Sequence, residues 1–384
     1  MNKILLKVGA AIGALLSTSA FAESAAGVDQ YELNMRKGVT DISADVYDLH
    51  MLMFFICVGI AVIVFGAMFY AMLFHRKSKG AKPANFHESV KVEIAWTVIP
   101  FIILIIIAVP AAKTLIAMED ASKPDVTILV TGSQWKWNYR YMDNDVEYYS
   151  RLATQPEQIS GKLEKGENYL LEVDRPLVIP IDKKVRFLIT SDDVIHSWWV
   201  PDFAIKQDAN PGFINDAWAR VNEPGIYRGQ CAELCGKDHG FMPIVVIAKE
   251  PAEYDKWITQ QEAMQQQAQA EEQRLLSMNM SKEDLMATGE NVYMANCAAC
   301  HMPNGEGLPG VFPALKGSAI ALNDMAAHIN IVLNGKSGSS MAAFSNQLGM
   351  SDIAAVITYE RNAWGNDTGD LVQAKDINAA VNGQ

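Results

Sequence analysis

Positive charge is in deficit: 32 lysines and arginines face 44 aspartates and glutamates, a formal charge of -12 over 384 residues. A nucleic-acid binder needs a cationic surface for phosphate, so this balance excludes nucleic acid as a partner and suits a basic protein instead. Cysteine is sparse, five in all, and four of the five fall in two close pairs. Charge of either sign is missing from two long stretches, Leu49 to Phe74 and Ile94 to Met118, where Lys113 near the second end is the first interruption. The chain is too long for one small domain and, at 50% hydrophobic residues, too apolar for a disordered tail, so several folded units are expected.

The N-terminus carries Lys3 and Lys7, an apolar run from Val8 to Leu16, and the small residues of Ala20-Phe21-Ala22. This pattern predicts a signal peptide over 1–22, too short to span a bilayer as an anchor. Residues 23–118 then comprise an N-terminal segment and a membrane hairpin with helices at about 49–74 and 94–118. Between them Arg76, Lys77, Lys79, Lys82 and Lys91 outnumber Glu88, which places this loop in the cytoplasm and both ends of the hairpin outside. The expected location is a bacterial inner membrane crossed twice, with the bulk of the chain on its periplasmic side.

From 119 to 250 the period changes to short, β-branched segments bounded by Pro, Gly and Asp, such as Val126–Val130, Val185–Thr190 and Ile244–Ala248. That pattern predicts an all-β sandwich or barrel. Residues 251–282 form a linker, in which Gln260 to Gln273 holds seven glutamines and reads as an exposed, partly helical spacer. Helical periodicity returns over 283–365, with Ser281-Lys282-Glu283-Asp284 as a start signal. Residues 366–384 are polar and read as a flexible tail.

Cys57 lies within the first apolar run and reads as a packing residue. Cys297-Ala298-Ala299-Cys300-His301 is the pattern for covalent attachment of haem c: two thiols bond the vinyl groups, and the adjacent histidine reaches the iron. That chemistry needs an oxidising compartment, which export supplies. The sixth ligand is expected from Met302, Met325, Met341 or Met350. Met302 is too near the proximal ligand, Met325 and Met350 border helices, and Met341 sits in a loop forty residues after His301, so Met341 is chosen.

The other pair lies in Cys231-Ala232-Glu233-Leu234-Cys235-Gly236-Lys237-Asp238-His239-Gly240-Phe241-Met242, with His196 upstream. Thiolates and a thioether combined with imidazoles select copper, and two cysteines allow two bridging sulfurs between two metals. A Cys231–Cys235 disulfide or a zinc site fits the same spacing, although Met242 is a poor zinc ligand.

Four segments, Val92-Glu93-Ile94-Ala95-Trp96-Thr97, Gly132-Ser133-Gln134-Trp135-Lys136-Trp137, Asp193-Val194-Ile195-His196-Ser197-Trp198 and the Cys231 to Met242 cluster, resemble subunit II of the haem-copper cytochrome c oxidases, in the form with a fused C-terminal cytochrome c domain. The resemblance spans nearly the whole mature chain. It implies a multidomain fold: a two-helix transmembrane hairpin, an all-β cupredoxin-like domain and an all-α class I cytochrome c domain. It further implies that His196, Cys231, Cys235, His239 and Met242 hold the dinuclear copper centre CuA through side chains, and Glu233 through its carbonyl. The Glu233 carboxylate is implied to share a magnesium ion with subunit I, Trp135 to be the electron-entry residue, and Glu93 to mark the mouth of a proton channel.

Two positions depart from the family pattern: Ala342 rather than Pro follows Met341, and Met302 rather than Gly follows His301. The implied function is the electron-entry subunit of a proton-pumping oxidase, with cytochrome c or another periplasmic protein as donor and subunits I and III as partners. A membrane-tethered electron carrier working outside an oxidase is the rival reading, but it has no use for a second helix, Glu93 or Glu233. A nitric oxide reductase would share the copper site.

Overall fold

The computed structural model describes residues 34–82, 87–336, 339–345 and 347–382. The expected signal peptide, 1–22, lies outside them.

Two long helices come first, Asp41–Phe74 and Val90–Glu119. At 1.5 Å per residue each exceeds the roughly 30 Å of a bilayer's hydrocarbon. Their apolar side chains face outward, with Phe65 and Ile105 both about half exposed or more, as helices packed in lipid require. The first helix begins eight residues before its apolar run. Thr40 supplies the reason: its hydroxyl accepts from the Ser43 N–H at 3.0 Å, and the Ser43 hydroxyl accepts from the Thr40 N–H at 2.9 Å. The apolar run marks the membrane, whereas this reciprocal cap marks the helix.

The hairpin is tied to the next domain at both ends. Thr40 bridges to Val221, and Arg36 pairs with Asp202 at 3.0 Å. At the exit, the Lys184 ammonium donates to the Asp120 and Ser122 carbonyls, and Trp218 Nε1 donates to the Ala117 carbonyl at 3.1 Å.

Ten strands build the domain that follows: β1 (Val126–Ser133), β2 (Lys136–Tyr141), β3 (Val146–Ser150), β4 (Leu177–Pro180), β5 (Val185–Ser191), β6 (His196–Val200), β7 (Ile205–Ala209), β8 (Asn215–Ala219), β9 (Gly225–Cys231) and β10 (Pro243–Lys249). They form two five-stranded sheets, ordered β3-β2-β1-β5-β8 and β4-β10-β9-β6-β7. Parallel pairs β1–β5 and β4–β10 sit among antiparallel ones. The inner faces meet over Ile128, Val130, Trp137, Tyr139, Phe187, Trp198 and Ile244, all fully buried. Alternation along β5, with Val185, Phe187 and Ile189 inward, is the period-two signal of a half-buried strand.

The glutamine-rich segment differs from the expected spacer. Pro251–Leu276 is one continuous helix, and Tyr254, Trp257 and Ile258 on its first turns pack into the sandwich core. Asn144 and Arg175 of the sandwich bond Glu262 and Gln261 of the helix at 3.0 and 3.2 Å. Near its far end Glu272 caps the helix Met350–Asn362, accepting from the Ser351 N–H at 3.1 Å and the Ser351 hydroxyl at 2.6 Å. The segment is therefore a strut fixed to both domains.

The C-terminal domain packs Lys282–Asn296 across Met350–Asn362, with short helices Ala298–His301 and Ala319–Asn323 and the helix Met325–Asn334 around them. Gly289 permits the crossing: a Cβ there would lie 2.2 Å from the Ala355 carbonyl oxygen. The expected flexible tail is corrected by a helix, Ala374–Asn382. Val372, Ala374 and Ile377 are buried within the domain, and the Val372 N–H donates to the Thr358 hydroxyl at 3.0 Å. Burial of these three apolar residues anchors the otherwise polar segment.

Candidate metal centres

Strand pairing assembles the first cluster. Strands β6 and β9 run antiparallel with Trp198 opposite Cys231, so His196 at the start of β6 lies beside Cys231 at the end of β9. The loop 232–242 then returns to β10, carrying Cys235, His239 and Met242 over the same end of the sandwich. His196, Cys231 and Cys235 bring one donor atom each within 4.8 Å of one another, and all three are buried. The thiols stand 3.8 Å apart and are not bonded to each other. His196 Nδ1 lies 4.0 Å from the Cys231 sulfur, and His239 Nδ1 and the Met242 sulfur each lie 3.5 Å from that of Cys235. The Cys231 sulfur also lies 3.4 Å from the Glu233 carbonyl oxygen, while the Glu233 side chain belongs to an exposed residue.

Two soft sulfurs at the centre, one imidazole near each, and a thioether and a carbonyl at the ends make a donor set that fits two bridged coppers. It fits a single tetrahedral zinc less well, because six donors converge. The thiols share a proton: Cys231 is drawn well below the ordinary thiol value, first by the Cys235 S–H and against its burial, and Cys235 is pushed far up by the neighbouring Cys231. A metal must displace that last proton to be held by both sulfurs.

The surroundings orient the ligands. His196 Nε2 donates to Asp193 Oδ1 at 2.9 Å, which leaves Nδ1 facing the thiols. Burial alone would push this imidazole down, but Asp193 and Cys231 outweigh it and the net shift is upward. Trp137 packs edge-on to the His196 ring at 6.0 Å and donates from Nε1 to the Met242 carbonyl at 3.3 Å. Gly132 lets β1 approach the His196 ring, since a Cβ would lie 2.9 Å from its Cδ2. Gln134 donates its N–H to Asp193 at 2.7 Å and its side-chain amide to the Cys235 carbonyl at 2.8 Å, which places neighbouring Trp135, half-buried, over the cluster's edge. Sequence reasoning missed Asp193 and Gln134, although each sits in a segment that it singled out.

The second centre is the turn Ala298–His301 after Cys297. Both thiols are free and half-buried. Burial raises each of them, with Glu360 adding to the effect at Cys297. His301 donates from Nδ1 to the Pro313 carbonyl at 2.8 Å, leaving Nε2 for a metal, and the ring is buried. This arrangement fits a covalently held haem: two unpaired thiols and an oriented imidazole at one corner. Met341 follows the helix Met325–Asn334 on a loop closed by the Lys336 N–H on the Met341 carbonyl at 3.0 Å. Glu93 lies in the first turn of the second membrane helix and is exposed.

The two centres adjoin. Lys237, two residues past Cys235, donates its ammonium to the Ala299 carbonyl at 3.1 Å, inside the thiol-thiol-histidine motif. Arg151 donates to the Asn296 side chain at 3.1 Å. The Lys136 ammonium lies 4.7 Å from the centre of the Tyr149 ring and 5.7 Å from that of Phe344 in the Met341 loop.

Known proteins match each part in turn. Residues 28–114 match the family described as cytochrome c oxidase subunit II, transmembrane domain, residues 126–249 its periplasmic domain, and residues 284–359 the family described as cytochrome c oxidase, cbb3-type, subunit III. A probable cytochrome c oxidase subunit 2 from Rickettsia bellii is 38% identical over 229 residues, covering 59% of this chain and 83% of the relative. Cytochrome c oxidase subunit 2 of Chondrus crispus is 38% identical over 238 residues, covering 60% and 91%. The crystal structure of the periplasmic domain of subunit II of cytochrome oxidase from Bradyrhizobium japonicum is 39% identical, with a TM-score of 0.33, covering 38% of this chain and 98% of that one. The chain thus belongs to the cytochrome c oxidase subunit II family, as a two-pass membrane subunit with a CuA-type domain and a C-terminal cytochrome c domain.

Proposed function

We propose that this chain is the electron-entry subunit of a respiratory oxidase. It would accept electrons from cytochrome c at its own haem c and pass them through CuA to subunit I, where oxygen is reduced to water and protons are pumped. The observation that carries the reading is the convergence of Cys231, Cys235 and His196 within 4.8 Å, with the haem motif bonded to the same loop through Lys237. The copper pair would be held by His196, Cys231, the Glu233 carbonyl, Cys235, His239 and Met242. The haem would be held by Cys297 and Cys300 covalently and by His301 and Met341 as ligands to its iron. When bound, both groups supply one-electron redox chemistry.

The chain's own residues orient and insulate these groups. Asp193 fixes the His196 tautomer, and Pro313 fixes that of His301. The buried walls of Trp137 and Trp198 keep water from the sulfurs, so little solvent must reorganise when the charge changes. Trp135 offers an aromatic edge between donor and copper. The exposed Glu233 carboxylate suits a magnesium ion shared with subunit I, since hard cations prefer carboxylate oxygen. Glu93, at the start of a membrane helix, is the residue we assign to a proton-channel entrance. The lysine-rich loop between the helices supports a cytoplasmic turn, which would put both metal centres on the periplasmic side of a bacterial inner membrane, and subunit III would complete the assembly.

The test uses the purified whole oxidase. Replacing both Cys231 and Cys235 by serine is expected to remove two equivalents of copper and the spin signal shared between two coppers, while the haem c absorption band stays. Full copper retention with an unchanged spin signal would refute the copper assignment.

A further inference from the structure

The copper domain presents three basic side chains to the haem domain, two of them on or beside the haem attachment motif and the third on the loop that carries Met341. Lys237 donates to Ala299, between the two thiols. Arg151 donates to Asn296, one residue before Cys297. Lys136, almost fully buried, is sandwiched between Tyr149 of its own sheet and Phe344 of the loop that carries Met341. Arg151 in turn lies 5.3 Å from the same Tyr149 ring, so Lys136 and Arg151 share one aromatic close to Trp135, while Lys237 meets the motif separately from the copper loop. The strut helix alone would set only the separation of the domains. These contacts fix which edge of the haem domain faces the copper.

Resting on the function proposed above, we propose that Arg151 and Lys237 are positioning residues: an intramolecular docking site that holds the Cys297–His301 corner against the copper domain's electron-entry face, with Lys136 packed beside them. The partner that this surface fits is the chain's own haem domain, and a soluble donor protein delivers to the haem domain rather than to Trp135. The step served is the passage of one electron: the haem loses one, the copper pair gains one, and no bond or proton is exchanged. Transfer depends on donor and acceptor being held in close, defined geometry, so a shift of a few ångströms at this corner is felt in the rate.

The measurement is flash photoreduction of the haem in the whole oxidase, following haem reoxidation and copper reduction. In an Arg151→Ala/Lys237→Ala double variant, haem-to-copper transfer is expected to slow at least about tenfold, with the haem band, the shared copper spin and both midpoint potentials unchanged. Lys237→Arg keeps a donor at that place and should restore a rate near that of the native chain. If the double variant does not assemble, Lys237→Gln at an exposed position supplies the same reading. A native rate in the variants would overturn the docking site. Absence of the shared copper spin from the native oxidase would instead sink the underlying function, and the docking site with it.

Discussion

His196 and Asp193 are three residues apart on either side of a strand start, and the imidazole Nε2 donates to the carboxylate at 2.9 Å. The same carboxylate accepts the backbone N–H groups of Gln134 and Val194 at 2.7 and 2.6 Å. Burial raises this carboxyl, yet His196 and those two amides outweigh it, so the group stays below the ordinary aspartate range and ionised. An ionised acceptor behind a ligand fixes its ring orientation and makes its other nitrogen a stronger donor to metal.

Asp193→Asn removes the charge and keeps the size. Copper affinity is expected to fall by about 10- to 100-fold, the usual effect of losing such an outer partner. A competition titration against a chelator, on the whole oxidase, reads this directly. Native affinity in the variant would show that ring packing by Trp137 alone orients His196.

The strut helix yields a second expectation. Gln267 is exposed in the stretch between the sandwich contacts and Glu272, so Gln267→Pro should disturb only the helix. Proline in a helix interior costs about 3 kcal/mol and bends the axis. Haem-to-copper transfer should become slower and multiphasic as the haem domain samples more than one placement. A single native rate would mean that the cationic docking contacts hold the domain without the strut.

Much of this was legible in the residues. The hairpin was, because a charge-free run of this length has few uses outside lipid. The copper cluster and the haem turn were, because thiol and imidazole at fixed spacing carry their chemistry in their identity. The strut was not: seven glutamines read as a solvated spacer, and the decisive Tyr254, Trp257 and Ile258, at helical spacing, lay just ahead of them. The C-terminal helix was hidden in the same way, since its polar composition masks Val372 and Ile377. Lys136, Arg151 and Lys237 are ordinary cations in sequence, and only the docking of two domains gives them a common target.

Gly289 tests the haem domain itself. Its missing side chain lets two helices cross, with the Ala355 carbonyl and the Tyr359 Cβ where a methyl would be. The obstructing atoms are backbone and packed core, so the helices must part to admit one. Gly289→Ala is expected to destabilise the domain by about 3 kcal/mol or more, the upper range for overpacking. Melting followed at the haem band checks it, and an unchanged midpoint would show that the crossing is loose.

Lys136 gives the pH dependence. Burial first, then the neighbouring Arg151, draws its ammonium from 10.5 to about 7. Asp192 and Asp193 oppose the shift without cancelling it. The folded value lies below the unfolded one, so between the two the unfolded chain binds more protons. The penalty is therefore complete below about pH 7 and fades as pH rises toward 10.5, so this group makes the docked fold more stable in alkali. The slope is at most about 1.4 kcal/mol per pH unit. Lys136→Met, which keeps the length and drops the charge, should raise stability at pH 7 and flatten the rise between pH 7 and 9. Melting curves followed at the haem band across that interval decide the matter: a slope that survives the substitution assigns the effect to another group.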